Sequence, residues 1–280
     1  VIALNGRPAL LEGWAHGLPQ RPLTGQVTLI LPAGFDFVRW QTRFRAGVEA
    51  VHATAPVDWL ANPPASSADE SVLAAVLHAV QAVLRSLRIP VHSGFRLWRS
   101  HPPAGAGADR PIWSYAIPVV YPLGSEGVLH WLVDIANHAM GPDPMPEGPL
   151  AAYAGAGMTS PAWVSKGTAM LEQLKPLAAP GVNIFPLITA ALDLGIQARS
   201  LTGWFLTLGV GDQARLFDST LTDRTPSIGV QLARSKLMCA EVLRAAGLPV
   251  PEQRLARSVE DAMKAVERLG FPLVVKPADL

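Results

Sequence analysis

The sequence predicts a protein of the α/β class, with helices and strands mixed along the chain. Three observations carry this expectation. Val72, Leu73, Val76, Leu77, Val80, Val83, Leu84 and Leu87 recur at helical spacing. Gln26 to Leu31, Phe95 to Arg99 and Ile112 to Tyr121 are β-rich runs bounded by turn residues. Past Pro161 the texture changes to alternating helical and strand-like segments.

Taken in order, residues 1 to about 60 read as strands and short connectors. Gln26-Val27-Thr28-Leu29-Ile30-Leu31 alternates and ends at Pro32-Ala33-Gly34, and Asn62 to Ser67 reads as a loop. A helix then runs from Asp69 until Pro90 forbids its continuation, with a face broad enough to be well buried. His78 within it reads as a packed histidine. Two strands follow, around the loop Pro102 to Arg110, whose glycines lack the Lys-Ser/Thr and the strand–turn–helix setting of a phosphate cradle. A third helix spans about Glu126 to Met140. Gly141 to Pro149, extended by Ala154 to Gly157, is the strongest boundary signal in the chain. It places the end of a first, α+β domain near residue 160.

Residues 163–177 read as helical, Ile184 to Leu194 as a helix closed by Gly195, and Ala198 to Leu201 as a strand. Together they have the rhythm of an open α/β sheet. Gly209 and Gly211 serve backbone geometry at a sheet edge; nothing glycine-rich opens a helix after them, so they are no dinucleotide fingerprint. The last sixty residues predict a compact helix–strand–helix–strand unit. Its first helix covers about Ser235 to Ala246. Its second is capped by Ser258 with Asp261 three residues on, carries the stripe Val259, Ala262, Met263, Val266, Leu269, and closes at Gly270. Leu273-Val274-Val275 reads as a short buried strand that delivers Lys276 at its end.

Composition bounds the function. Among 280 residues, 49% are hydrophobic and 16% charged, which gives a sizeable core and argues against disorder. A net charge of +1 gives no reason to expect a nucleic-acid or membrane-surface partner. No apolar stretch reaches the roughly 18 residues of a membrane span. The single cysteine, Cys239, forms no internal disulfide, reads as packing, and fits a cytoplasmic setting. The chain starts at Val1 without a signal peptide and is expected to be a fragment missing both ends. His130, Asp134 and His138 fall four apart, but eight helical residues separate the histidine Cα atoms by about 12 Å, too far for one zinc ion, so no metal site is assigned.

Two lysines bracket the terminal unit, Lys236 at a helix start and Lys276 at a strand end. Asp223-Arg224-Thr225 precedes it, where an arginine fork suits a carboxylate or phosphate and a tied-down loop explains the residues equally well. The ordered pieces Leu208-Gly209-Val210-Gly211, Thr222-Asp223-Arg224-Thr225 with Ile228-Gly229, Ser235-Lys236, and the AGLPVP and GFPLVVKP phrases resemble the opening of the ATP-grasp ligases, in particular cyanophycin synthetase and its relatives, over roughly residues 170 to 280. The resemblance implies an N-terminal α+β domain at 1–160 of unassigned role, a small α/β pre-ATP-grasp domain at 161–226, and the start of an ATP-grasp lobe at 227–280. It implies ATP bound by Lys236 and Lys276, with Asp223, Arg224 and Thr225 lining the substrate site or an interface, and Mg2+ with ligands beyond Leu280.

The reaction implied is carboxylate–amine ligation through an acyl phosphate, on an amino-acid or peptide substrate, and a homo-oligomer is left open. Two other readings stand beside it. One is another ATP-grasp ligase of the D-alanine or glutathione type, since the helix–VVKP unit is widely shared. The other is a non-catalytic substrate-recruiting or oligomerising module.

Overall fold

The computed structural model describes residues 1–52, 66–100, 111–120, 122–143, 145, 162–202 and 205–277. Helices and antiparallel sheets are mixed along the chain, which is consistent with an α/β fold. The fold divides into two compact units, Val1–Thr220 and Leu221–Leu280.

The first unit begins with strands β1 (Ile2–Leu10) and β2 (Pro22–Leu29), helices α1 (Phe37–Val51) and α2 (Ala68–Ser86), and strands β3 (Arg96–Ser100) and β4 (Ile112–Pro118). Its sheet has the order β1-β2-β4-β3, every pair antiparallel. The register sets Leu23 against Ile117 and Val27 against Trp113. Side chains alternate between the two faces of a strand, so Leu23, Val27 and Leu29 of β2 share one face with Trp113, Tyr115 and Ile117 of β4, and all six are buried. Between Leu23 and Val27, Gly25 lies opposite Tyr115, and a Cβ added there would come within 2.4 Å of the phenol oxygen. Glycine at that place lets the ring lie across the neighbouring strand. Burial pushes the Tyr115 hydroxyl pKa well above its ordinary value.

Helix α3 (Pro122–Met140) is the centre of the core. It packs against α1, α2 and α4 (Ala162–Leu174), and Val128, Leu129, Trp131, Leu132 and Ile135 are almost entirely shielded. The Trp40 indole of α1 donates to the Ala136 carbonyl at 3.0 Å, and that of Trp131 donates to the Trp163 carbonyl at 3.0 Å, so each large ring also satisfies a buried polar atom. Gly167 of α4 faces the Trp131 ring so closely that a Cβ would meet its Nε1 at 2.3 Å. Trp163, Val164, Leu171 and Leu174 thereby join the same core as the sheet and α1–α3.

A smaller cluster follows, built by Ala179, Ile184, Ile188 and Leu192 against Leu206. The aliphatic residues of helix α5 (Ile184–Asp193) lie here on strands β5 (Ala198–Thr202) and β6 (Phe205–Leu208), with β7 (Arg215–Asp218) beyond. Strand β6 pairs antiparallel with both β5 and β7. A short connection such as 209–214 can close only an antiparallel pair, so the helix–strand rhythm becomes a meander. Gly209 and Gly211 fall in that connection with φ of +87° and +60°. Arg85 at the end of α2 bonds both carboxylate oxygens of Asp193, at 3.3 and 3.2 Å, and ties α5 to the large core.

Several sequence expectations hold. α2 begins at Ala68, one residue before the expected Asp69, with the Ser67 side chain accepting from the Glu70 amide, and α5 closes near Gly195 at φ +75°. One helix departs from them. The span 37–51, expected as strand and connector, is helix α1, because Trp40, Phe44 and Val48 repeat every four residues behind an Asp36 cap. Most of the expected loop at 62–67, the loop at 102–110 and most of the boundary at 141–157 lie outside the described residues.

Two histidines make the first unit pH-sensitive. His52 contacts the Ser86 hydroxyl at 2.5 Å and His78 stands edge-on to Phe95 at 4.7 Å; burial lowers the pKa of both. Unfolded histidines take up protons near pH 6.5, whereas these two do so only at lower pH, so the unfolded state binds more protons in between. Their contribution to stability is full above about pH 6.5 and is lost as pH falls toward the depressed folded values. Urea midpoints at pH 7.5 and 5.0 are expected to differ less for His78→Gln than for the parent.

Candidate anion-binding cleft

The second unit supplies helices α6 (Ser227–Arg234), α7 (Lys236–Ala245) and α8 (Val259–Leu269). Both longer helices begin as the sequence predicts. The Ser235 hydroxyl accepts from the Met238 amide at 3.3 Å, and the Ser258 hydroxyl accepts from the Asp261 amide at 3.1 Å. The Asp261 carboxylate reaches back one residue further than in a capping box, accepting from the Arg257 amide at 3.2 Å. Gly270 closes α8 at φ +73°, a conformation without penalty only for glycine.

A correction concerns the end of the unit. Leu273-Val274-Val275 does not form the expected buried strand. Val274 and Val275 are each 83% exposed, and the segment pairs with nothing among the described residues. A β-rich tripeptide becomes a strand only when a neighbour supplies hydrogen bonds. The apolar stripe of α8 is also only partly used. Ala262, Val266 and Leu269 are half-buried, while Val259 and Met263 are exposed at 82% and 57%.

The half-buried part of that stripe forms one wall of a cleft of about 320 Å³. Leu255 and Leu273 continue the apolar wall, and Lys236 and Lys276 both line it. The unit thus brings together the two lysines that the sequence singles out. Lys236 occupies the first position of α7 and is half-buried, whereas Lys276 is exposed in the irregular segment after α8. A cation at a helix start lies against the positive end of the helix dipole, an unfavourable placement of about 0.3–1 kcal/mol. The same placement becomes favourable when an anion sits beside it, because ammonium and backbone N–H groups then attract one ligand.

Glu252 and Arg254, paired at 3.4 Å, complete the charged lining. Three cations against one carboxylate leave the cleft with a balance of two positive charges. A volume of this size, apolar on one side and cationic on the other, suits a small organic anion. The sequence did not single out Glu252 or Arg254, which come from the 248–257 connection; only its fold places them there.

Asp223, Arg224 and Thr225 do not line this cleft. They form a closed turn in which the Thr225 amide donates to the Thr222 carbonyl at 2.9 Å and the Thr222 amide to the Thr225 hydroxyl at 2.9 Å. The Thr222 hydroxyl accepts from the Arg224 amide, and Asp223 and Arg224 are exposed. In the first unit, Asp134 is held by Lys166 at 2.5 Å and His130 lies 4.0 Å from Glu126. No group of three His, Cys, Asp or Glu able to hold a metal occurs among the described residues, and no helix there is long and apolar enough to cross a membrane. Cys239 is half-buried in α7.

No family model matches the chain. It is 33% identical over 114 residues to the cyanophycin synthetase of Trichormus variabilis, covering 39% of this chain and 13% of that protein. It is 50% identical over 38 residues to the N-terminal section of the carbamoyl phosphate synthase large chain of Aquifex aeolicus, covering 14% of this chain and 7% of that one. Part of the chain is ATP-grasp-related. A 36-residue match at 47% to the II subunit beta of the ADP-forming acetate–CoA ligase of Pyrococcus furiosus covers 13% of this chain and 15% of that one. The chain matches only a small fraction of the length of each of these proteins.

Proposed function

We propose that this chain is the N-terminal portion of an ATP-dependent carboxylate–amine ligase similar to cyanophycin synthetase, and that its terminal unit begins the nucleotide site. The observation that carries the reading is the cleft lined by both Lys236 and Lys276, and the similarity of part of the chain to cyanophycin synthetase supports it. ATP brings about four negative charges, and fixed ammonium groups offset the cost of taking them out of water. Lys236 and Lys276 hold phosphate or the adenine edge, and the wall of Ala262, Val266 and Leu269 packs on the apolar part of the nucleotide.

In such a reaction the γ-phosphoryl group passes to a substrate carboxylate, and ADP leaves. An amine then attacks the acyl phosphate, forming the amide bond and releasing phosphate. The chain's own contribution is to bind and orient: lysines that reach the transferring oxygens stabilise charge developing there. Magnesium, when bound, would neutralise phosphate charge, and none of the residues described above is assigned to it. The proposed organisation is an α+β domain to about residue 160, a small pre-ATP-grasp domain to 226, and the first lobe from 227. The acid is an amino acid or peptide, and the setting is cytoplasmic.

The test is ADP release by the full-length protein with ATP, Mg2+ and a panel of amino acids and short peptides. Acid-dependent ADP release is the expected outcome. A full-length protein that bound no ATP and released no ADP with any carboxylate would refute the reading.

A further inference from the structure

A second cavity, of about 180 Å³, lies in the first unit, between the end of α2's loop and the small α5 layer. Ile184 and Ile188 of α5, Leu206 of β6, Leu177 and Val120 give it an aliphatic wall. Its polar lining is almost wholly committed. The Gln20 amide donates to the Pro90 carbonyl at 3.1 Å and its oxygen accepts from the His92 amide at 2.7 Å. The Ala179 carbonyl already accepts from the Arg88 guanidinium at 3.5 Å.

Arg199 is different. Among the described residues it is the only charged one to line the cavity, which it does from β5, and its exposed side chain has no hydrogen bond or ion pair there. Strand β5 pairs on one side with β6, so Arg199 sits on a strand with a free flank among the described residues. Elsewhere in this layer arginines are engaged: Arg85 with Asp193, and Arg88 with the Ala179 carbonyl and over the Phe185 ring at 5.6 Å. An uncommitted guanidinium beside an apolar cavity is a receptor for an amphiphile with one negative end. Size narrows the choice, because an apolar cavity of about 150 Å³ accepts a benzene ring.

We propose that this cavity binds a small monocarboxylate of about one aromatic ring or a branched aliphatic chain, with the apolar body against Ile184, Ile188 and Leu206 and the carboxylate on Arg199. The site is separate from the lysine cleft and does not depend on the ligase reading. An ATP phosphate chain has no apolar body to fill it, and a free amino acid would carry its ammonium group beside the guanidinium.

The probe is benzoate, titrated into the 280-residue chain and followed by methyl and amide NMR shifts, with benzamide as the neutral isostere. Saturable benzoate shifts centred on Ile184, Ile188 and Leu206 are expected, with benzamide binding at least about tenfold more weakly, as loss of a charge-assisted pair implies. Arg199→Gln, an exposed change that spares the core, is expected to equalise the two probes. Ile188→Trp fills the cavity and should remove binding of both. Absence of saturable shifts at these residues overturns the proposal, and so does an Arg199→Gln variant that keeps its preference for benzoate. Equal binding of benzoate and benzamide by the parent chain also overturns it.

Discussion

Trp131→Ala is expected to lower the stability of the first unit by about 3–5 kcal/mol, the range for deleting a large buried aromatic ring. That is a large part of the 5–15 kcal/mol that holds a typical domain together. The ring is fully buried at the middle of α3, its indole N–H is bonded to the Trp163 carbonyl, and α4 lies against it at Gly167. Three effects therefore add: lost apolar burial, a cavity between α3 and α4, and a carbonyl left without its donor. Trp131→Phe separates them, because it keeps most of the ring and loses the donor, at about 1–3 kcal/mol. Urea unfolding at pH 7.5 reads all of these. Gly167→Ala gives a coupled check. A Cβ at residue 167 collides with the Trp131 ring, so this change should be strongly destabilising in the parent and nearly neutral beside Trp131→Ala. Additive effects would mean that the two helices do not meet there.

The interplay of local and non-local information explains which elements the sequence made legible. Helices α2 and α8 announce themselves because each carries its apolar stripe and its stop within one continuous span, closed by Pro90 and by Gly270. Helix α1 carries the same signal at Asp36, Trp40, Phe44 and Val48, but Arg39, Arg43 and Arg45 interrupt the apolar pattern around it and let the preceding strand pattern run on. The run at 273–275 shows the opposite failure. Its residue types suit a strand, yet pairing is a property of two segments, and spacing within one cannot supply the other. The pair Lys236 and Lys276 was legible from position, one at a helix start and one after a β-rich run. That both line one cleft, and that Arg254 and Glu252 share it, depends on the fold of the 248–257 connection. Arg199 gave no sequence signal at all, since a lone arginine in a short strand becomes noteworthy only when its neighbours are seen to be engaged elsewhere.

Lys276→Ala in the full-length protein is expected to weaken ATP binding at least about tenfold, and the Lys236→Ala, Lys276→Ala pair to remove measurable binding. A hydrogen bond from a charged donor contributes about 1.5–3 kcal/mol, and each 1.4 kcal/mol is tenfold in affinity. Lys276 is exposed, so water competes for its ammonium group and its effect falls at the lower end; Lys236 is half-buried at the head of α7 and falls at the upper. The effect should shrink as ionic strength rises, more for Lys276 than for Lys236, because exposed charges are screened first. Lys264 provides the control. It sits on α8, pairs with Glu260 at 2.8 Å and does not line the cleft, so Lys264→Ala removes the same charge from the same unit without touching the site. Calorimetric titration with ATP distinguishes the cases. Loss in the cleft variants with retention in Lys264→Ala would tie nucleotide affinity to these two ammonium groups, whereas an equal decline in all three would reduce it to net charge. Undiminished affinity after Lys276→Ala would take that residue out of the nucleotide cleft and leave the positive balance of the site to Lys236 and Arg254.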